Sequence, residues 1–228
     1  QIWNAMVDRR PALIARCSSP EDVVQAVKFA RKQSLIVSIR GGGHNIAGNA
    51  VCDGGLMIDL SPMKRVTVDP SALQASVEPG CTLADFDAAA QAHGLATPLG
   101  INSTTGVAGL TLGGGFGWLS RKYGMTVDNL LAVEVVTADG RQVRASASEN
   151  EDLFWAVRGG GGNFGVVTSF EFRLHDLSTV AAGPTLWPLD RAAEIMKWYR
   201  DFIVKAPSEL NGFFAFLTVP PAPPFPEH

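Results

Sequence analysis

Cysteine is scarce in this chain of 228 residues: Cys17, Cys52 and Cys81 stand alone, with no Cys-X-X-Cys pair. An odd, sparse set excludes a disulfide framework and reads as the reduced thiols of an intracellular, cytoplasmic protein. The four histidines (His44, His93, His175 and His228) are scattered without ligand spacing, so no metal is expected. No stretch approaches about 18 uninterrupted apolar residues, which leaves no expected membrane span. The opening QIWNAMVDRR lacks the basic-then-apolar order of a signal peptide. The formal net charge is -3 with no Lys/Arg stripe, so nothing would neutralise the phosphates of a nucleic acid.

Glycine is what the chain has in excess. Its 24 residues concentrate at Gly41 to Gly43, Gly113 to Gly117 and Gly159 to Gly165, without a strict period. Ordinary sequence lies between the clusters, so neither a collagen repeat nor a low-complexity linker fits. At 46% hydrophobic residues the composition is globular and large enough for sizeable cores. Three separated clusters inside a globular chain point to repeated close approach of the backbone to one ligand.

The elements between them are legible. Ser19 caps an expected helix to Gln33, with Pro20, Glu21 and Asp22 in its first turn. Short strands are expected over 35–39 and 55–60, giving a strand-helix-strand opening of α/β type. Alternation over 64–69 and 73–78 predicts one hairpin, and 132–137 with 142–145 around Asp139-Gly140 predicts another. Thr82 to His93 reads as a helix closed by Gly94. Ser148 and Glu151 form a capping-box pattern for a helix to Val157. A strand follows over 166–173. After His175 the character changes: the Trp198 to Phe202 stretch and a strand-like run over 212–219 begin a new unit, before a proline-rich tail from Pro220 to His228 that cannot be a core element. About 50 residues are too few for an independent domain. The expectation is therefore the N-terminal part of a longer protein.

Three segments carry chemistry. GGGNFG, from Gly160 to Gly165, formally matches the G-x-G-x-x-G spacing of a dinucleotide fingerprint. It is preceded by a helix and followed by a strand, the reverse of what that fingerprint needs, so it does not signal NAD. The segment from Pro98 to Trp118 combines glycines with Asn102, Ser103, Thr104 and Thr105, a composition suited to backbone nests that receive phosphate oxygens. No lysine follows its glycines, so it is not a Walker A loop. In the third, Gly41, Gly42 and Gly43 run into His44. A neutral imidazole there could attack an electrophilic carbon brought against a bare backbone, or serve a structural role.

Four stretches occur in order: RGGGHN from Arg40 to Asn45, GINSTTGVAGLTLGGGFG from Gly100 to Gly117, YGMTVDNL from Tyr123 to Leu130, and RGGGGNFGV from Arg158 to Val166. Together they resemble the FAD-binding domain of vanillyl-alcohol-oxidase (PCMH-type) flavoproteins, in the berberine-bridge-enzyme-like branch with its bacterial hydroxy-D-nicotine-oxidase-like members. The resemblance covers about residues 3–176. It implies an α+β fold: an FAD-binding domain over 1–176, made of two α/β subdomains (about 1–65 and 66–176), and the start of an α+β substrate domain over 177–228.

For the site, the resemblance implies that Arg40, Gly41, Gly42, Gly43, Asn45 and Gly48 form the pyrophosphate loop, with His44 bonded covalently to the flavin 8α carbon. Gly100, Asn102, Ser103, Thr104, Thr105, Gly106, Gly109, Gly113, Gly114, Gly115, Gly117 and Trp118 would run along the ring and phosphates. Gly162, Asn163, Gly165, Val166 and Val167 would hold the adenosine side. Bicovalent relatives carry a cysteine where this chain has Asn102, so one covalent bond is expected. Their later histidine is Leu110 here. Thr105 matches the position that gates oxygen access, and Tyr123 and Asp128 read as structural.

The implied activity is an FAD-dependent oxidoreductase, an oxidase taking hydride from a C–H next to oxygen or nitrogen. Its partners would be a small-molecule substrate, molecular oxygen or another electron acceptor, and the missing C-terminal half, which would supply the catalytic base. The alternatives are a noncovalent NADPH-dependent reductase of the same fold and a flavin-binding remnant without turnover.

Overall fold

The computed structural model describes residues 2–216. The chain divides into two compact units, the first running to Ala181 and the second beginning at Ala182. The first unit is an α+β assembly of two main sheets.

The smaller sheet is parallel. Strand β1 (Leu13–Arg16) leads into helix α1 (Pro20–Lys32), then β2 (Val37–Arg40) and β3 (Leu56–Asp59), in the spatial order β1-β3-β2. Strands running parallel in one sheet need a crossover, and α1 supplies it between β1 and β2, which flank β3. The Ser19 side chain accepts from the backbone of Asp22, and the Asp22 carboxylate returns a bond to Ser19, so two of the helix's open N–H groups are satisfied reciprocally. Val23, Ala26 and Ala30 of α1 pack with Leu56, Ile58 and Leu60 into one core.

The larger sheet is antiparallel, in the order β4-β5-β9-β7-β8. It is built from β4 (Val66–Asp69), β5 (Gln74–Val77), β7 (Leu130–Val136), β8 (Gln142–Ser146) and β9 (Val166–Arg173). Both expected hairpins, β4–β5 and β7–β8, are present. The intervening chain forms α2 (Leu83–Gln91), the short strand β6 (Leu95–Ala96), α3 (Val107–Leu112) and α4 (Ser120–Tyr123), and α5 (Glu151–Val157) lies between β8 and β9. β10 (His175–Asp176) pairs antiparallel with β6. Phe86 of α2 and Phe170 and Phe172 of β9 are fully enclosed and anchor the second core with Val77 and Val133. Val136 and Val166 belong instead to the core under the parallel sheet.

Two local expectations change. The Ser148–Glu151 capping box does not form: α5 starts after Asn150, which sits in the left-handed region (φ 48°). Ser148 is drawn into the preceding turn, where its N–H donates to Ser146 Oγ at 3.3 Å. The segment from Pro98 to Trp118 is not wholly loop, because α3 lies inside it. In the second unit α6 (Ala192–Ile203) takes up the Trp198 to Phe202 stretch. Of the strand-like run over 212–219, residues 212–216 have no regular structure. The remainder of that run and the tail lie outside the described residues.

Candidate functional site

The loop after β2 begins where the chain leaves the parallel sheet. Arg40 lies against the loop, where a Cβ on Gly43 would come 3.2 Å from its Nε, and its guanidinium donates to the buried Asp59 carboxylate at 2.9 Å, across neighbouring strands. Burial works against ionisation of Asp59, but hydrogen bonds from Ser61 and Arg40 outweigh it and hold the carboxyl below its ordinary range. Arg40 therefore anchors the loop to the sheet. Its Nε is buried without a partner among the described residues.

Glycine is required by contact at the start of this loop. A Cβ on Gly41 would lie 2.9 Å from the Pro79 carbonyl oxygen, and one on Gly42 would lie 2.5 Å from the Gly106 nitrogen. Gly43 and Gly48 have φ of 73° and 76°, in the left-handed region. The turn closes where the Gly48 N–H donates to the Asn45 carbonyl, and the Asn45 side chain accepts from the Asn49 N–H at 3.0 Å. Among the described residues, the backbone N–H groups from Gly41 to Asn45 donate no hydrogen bond. Five successive unpaired donors, shaped by glycine, are the makings of an anion nest.

The second loop is seated on the start of α2. Leu83 N–H donates to Thr105 O at 2.9 Å, Ala84 N–H to Ser103 O at 3.0 Å, and Val107 N–H to Cys81 O at 2.9 Å. Thr82 holds that end of α2, its hydroxyl accepting from the Asp85 N–H and donating to the Asp85 carboxylate at 2.8 Å. Gly100 packs against Leu110 and Leu83, and Gly117 presses on the Leu99 carbonyl. Gly114 and Gly115 have positive φ and accept from Val127 and Thr126 N–H groups at 3.0 and 2.9 Å. Gly113 caps α3. Trp118 is half exposed.

All three glycine clusters meet at α3. Gly106 is its N-cap and touches Gly42, a Cβ on Gly41 would meet Ala108, and the turn Gly161–Phe164 also contacts α3. In the third cluster Asn163 donates to Gly160 O at 2.8 Å. Gly165 (φ 146°) presses on Val135 and Val136. Val166 and Val167 are buried in the two cores, so only their backbone is available to a ligand. Gly109 and Gly162, like Gly159, have open space beside them: a Cβ on any of the three would meet nothing within 4 Å.

His44 is half-buried and held from two sides. Its Nε2 lies 3.0 Å from the Thr104 hydroxyl, and its ring stacks on Trp3 with centroids 5.4 Å apart and planes at 19°. Trp3 N–H also donates to Gly43 O at 2.9 Å. The involvement of Trp3 had no signal in the sequence, since nothing near it in the chain names its partner. Tyr123 stacks on His175 with centroids 4.0 Å apart, and the Asp128 carboxylate accepts from Met125 N–H. Among the described residues no group of His, Cys, Asp or Glu could hold a metal.

Comparison with known proteins gives this geometry its context. The chain is 42% identical over 187 residues to (R)-6-hydroxynicotine oxidase of Paenarthrobacter nicotinovorans, covering 82% of this chain and 41% of that protein. The structure of Physcomitrella patens BBE-like 1 matches with a TM-score of 0.75 at 35% identity, over 77% of this chain and 39% of that one. Glucooligosaccharide oxidase from Acremonium strictum, described as carrying 6-S-cysteinyl, 8α-N1-histidyl FAD, matches at 38% identity with a TM-score of 0.71, over 76% and 37%. The chain thus spans about two fifths of the length of these relatives. Residues 11–146 match the family model of the FAD binding domain. The chain belongs to that FAD-binding family, and the matched stretch takes in both His44 and the whole loop from Gly100 to Gly117.

Proposed function

We propose that this chain is the cofactor-holding part of an oxidase in which FAD is bonded to His44 alone. The observation that carries the reading is the row of unpaired N–H groups from Gly41 to Asn45 running into the imidazole. Such donors suit a pyrophosphate, and the open space beside Gly109 and Gly162 leaves room for an extended dinucleotide along α3. The residues present fit the group. Asn102, in place of a cysteine, supports one covalent bond rather than two.

Bound FAD supplies a two-electron acceptor, taking hydride at N5 from a C–H next to oxygen or nitrogen in an alcohol, sugar or amine. The chain's own residues bind and orient it. Gly41 to Asn45 would hold the phosphates, His44 would tether the ring, and α3 with its flanking glycines would set the cofactor's course. The catalytic base and most of the substrate pocket would come from a C-terminal half, with 177–228 as the start of that domain. The two sheets support dividing the FAD-binding domain near residue 65. Dioxygen is the acceptor this reading favours. Thr105, half-buried beside Gly106, would gate its access; equal reoxidation rates in air for Thr105→Leu and the native protein would remove that role. Cys17 and Cys81 thiols, pushed up to about 11 chiefly by burial, are unreactive core groups, in keeping with a cytoplasmic protein.

Acid precipitation of the FAD-loaded protein, with intact mass and visible spectrum, tests the reading. A yellow pellet heavier by one FAD is expected, and His44→Ala should give a colourless one. Colourless native pellets would leave the noncovalent reductase.

A further inference from the structure

We infer that Thr104, oriented by Asn102, is the positioning residue that decides which nitrogen of His44 bonds to the flavin; this rests on the covalent reading above. The Asn102 side-chain oxygen accepts twice from Thr104, from its N–H at 3.1 Å and from its hydroxyl at 2.9 Å. A threonine hydroxyl has one proton, and here it is committed to Asn102. What Thr104 Oγ1 presents to His44 Nε2, at 3.0 Å, is therefore a lone pair.

A neutral imidazole has one protonated nitrogen and one bare nitrogen, and the bond made by one settles the state of the other. Facing a lone pair, Nε2 carries the proton. Nδ1 is then the nucleophile, and among the described residues it has no hydrogen-bond partner. The stacked Trp3 ring opposes rotation of the imidazole out of this arrangement. In relatives with a second covalent anchor, the position of Asn102 is a cysteine. In this chain the same position acts on the first anchor instead.

In the attachment step a bond forms between Nδ1 and the 8α carbon. The 8-methyl loses one proton and the imidazole loses its ring proton from Nε2. Both protons, with the electron pair of the broken C–H bond, end on the flavin, which is left reduced by two electrons. Dioxygen takes the pair and leaves as hydrogen peroxide, restoring the oxidised cofactor. Once Nε2 is bare, the Thr104 hydroxyl can rotate and donate to it. Serine at 104 can do the same; valine cannot.

The experiment uses the protein from its whole reading frame, produced without flavin and then given FAD in air. Attachment is followed by flavin fluorescence on denaturing gels, and NMR of the isolated flavin peptide identifies the bonded nitrogen. Native protein and Thr104→Ser should give the Nδ1 adduct alone at similar rates. Thr104→Val should attach about tenfold more slowly and give both isomers, as should Asn102→Ala, which frees the hydroxyl proton. Noncovalent FAD affinity and circular dichroism of each variant separate this from misfolding. An Nε2 adduct in the native protein overturns the inference while leaving His44 as the tether. So does Thr104→Val attaching at the native rate through Nδ1 only. If Thr104→Val does not fold, the native linkage and Asn102→Ala decide. A colourless native pellet instead removes the covalent reading itself.

Discussion

Gly42 and Gly106 touch backbone to backbone: a Cβ built on either would sit 2.5 Å from the other's nitrogen. These residues belong to different loops, one leaving the parallel sheet and one seated on α2. Their contact brings the histidine loop against the head of α3. Gly42→Ala or Gly106→Ala must push the loops apart, costing about 1–3 kcal/mol as overpacking does. Thermal unfolding should fall by several degrees, and the variants should bind FAD poorly even where they stay folded.

Gly109 makes the opposite case, because a Cβ there meets nothing within 4 Å. Within a helix, Gly→Ala is worth about 0.5–1 kcal/mol in favour of alanine. Gly109→Ala should leave the flavin-free protein as stable or slightly more so. Its FAD affinity should nevertheless drop by about tenfold, roughly 1.4 kcal/mol, as the methyl takes space meant for the cofactor. Unchanged affinity would move the cofactor away from this face of α3.

Thr82 links helix capping to the site, since the backbone next to it holds Ser103 and Thr105. Thr82→Ala removes the reciprocal bonds with Asp85 and should cost about 1 kcal/mol. Calorimetry should show a fall of about 2–4 °C. Covalent FAD attachment should slow as the second loop loosens, and Thr82→Ser should restore both.

His175 sets a pH response. Its Nε2 lies 2.7 Å from Asn129 Oδ1, and burial, with the charges of Arg173 and Lys122, holds its pKa below the usual value. Between the folded and unfolded values the unfolded chain binds more protons. The stability His175 contributes is thus complete above about 6.5 and is lost as pH falls through the lower folded value. Urea midpoints should drop between pH 7.5 and 5.5, and His175→Gln should flatten that part of the profile.

Much of this fold is written locally. The caps of α1 and α2 are decided by residues three apart, Ser19 with Asp22 and Thr82 with Asp85, so the sequence displays them directly. Both hairpins follow from alternation around turn residues. What escaped notice depends on distant partners. β1 has four residues and lies at a sheet edge, too short to show a period. α3 carries a glycine mid-helix and is held by neighbours remote in sequence, so its composition reads as loop. At the site, His44 announces itself through the glycines before it. Its contact with Thr104, sixty positions away, and its stacking on Trp3 exist only once the chain is folded.

The ladder between β5 and β9 pairs Gln74 with Arg173 and Val77 with Phe170. The central strand of the larger sheet therefore arrives almost a hundred residues after the strand it must join. During synthesis, α2 and the loop it seats wait for β9 before their side of the core can close, because non-local pairing is the slow part of folding. The proposed tether at His44 lies early in the chain but would not act early. Flavin capture on this scaffold should therefore be a late event, and a nascent chain stalled before residue 166 should emerge colourless however much FAD surrounds it.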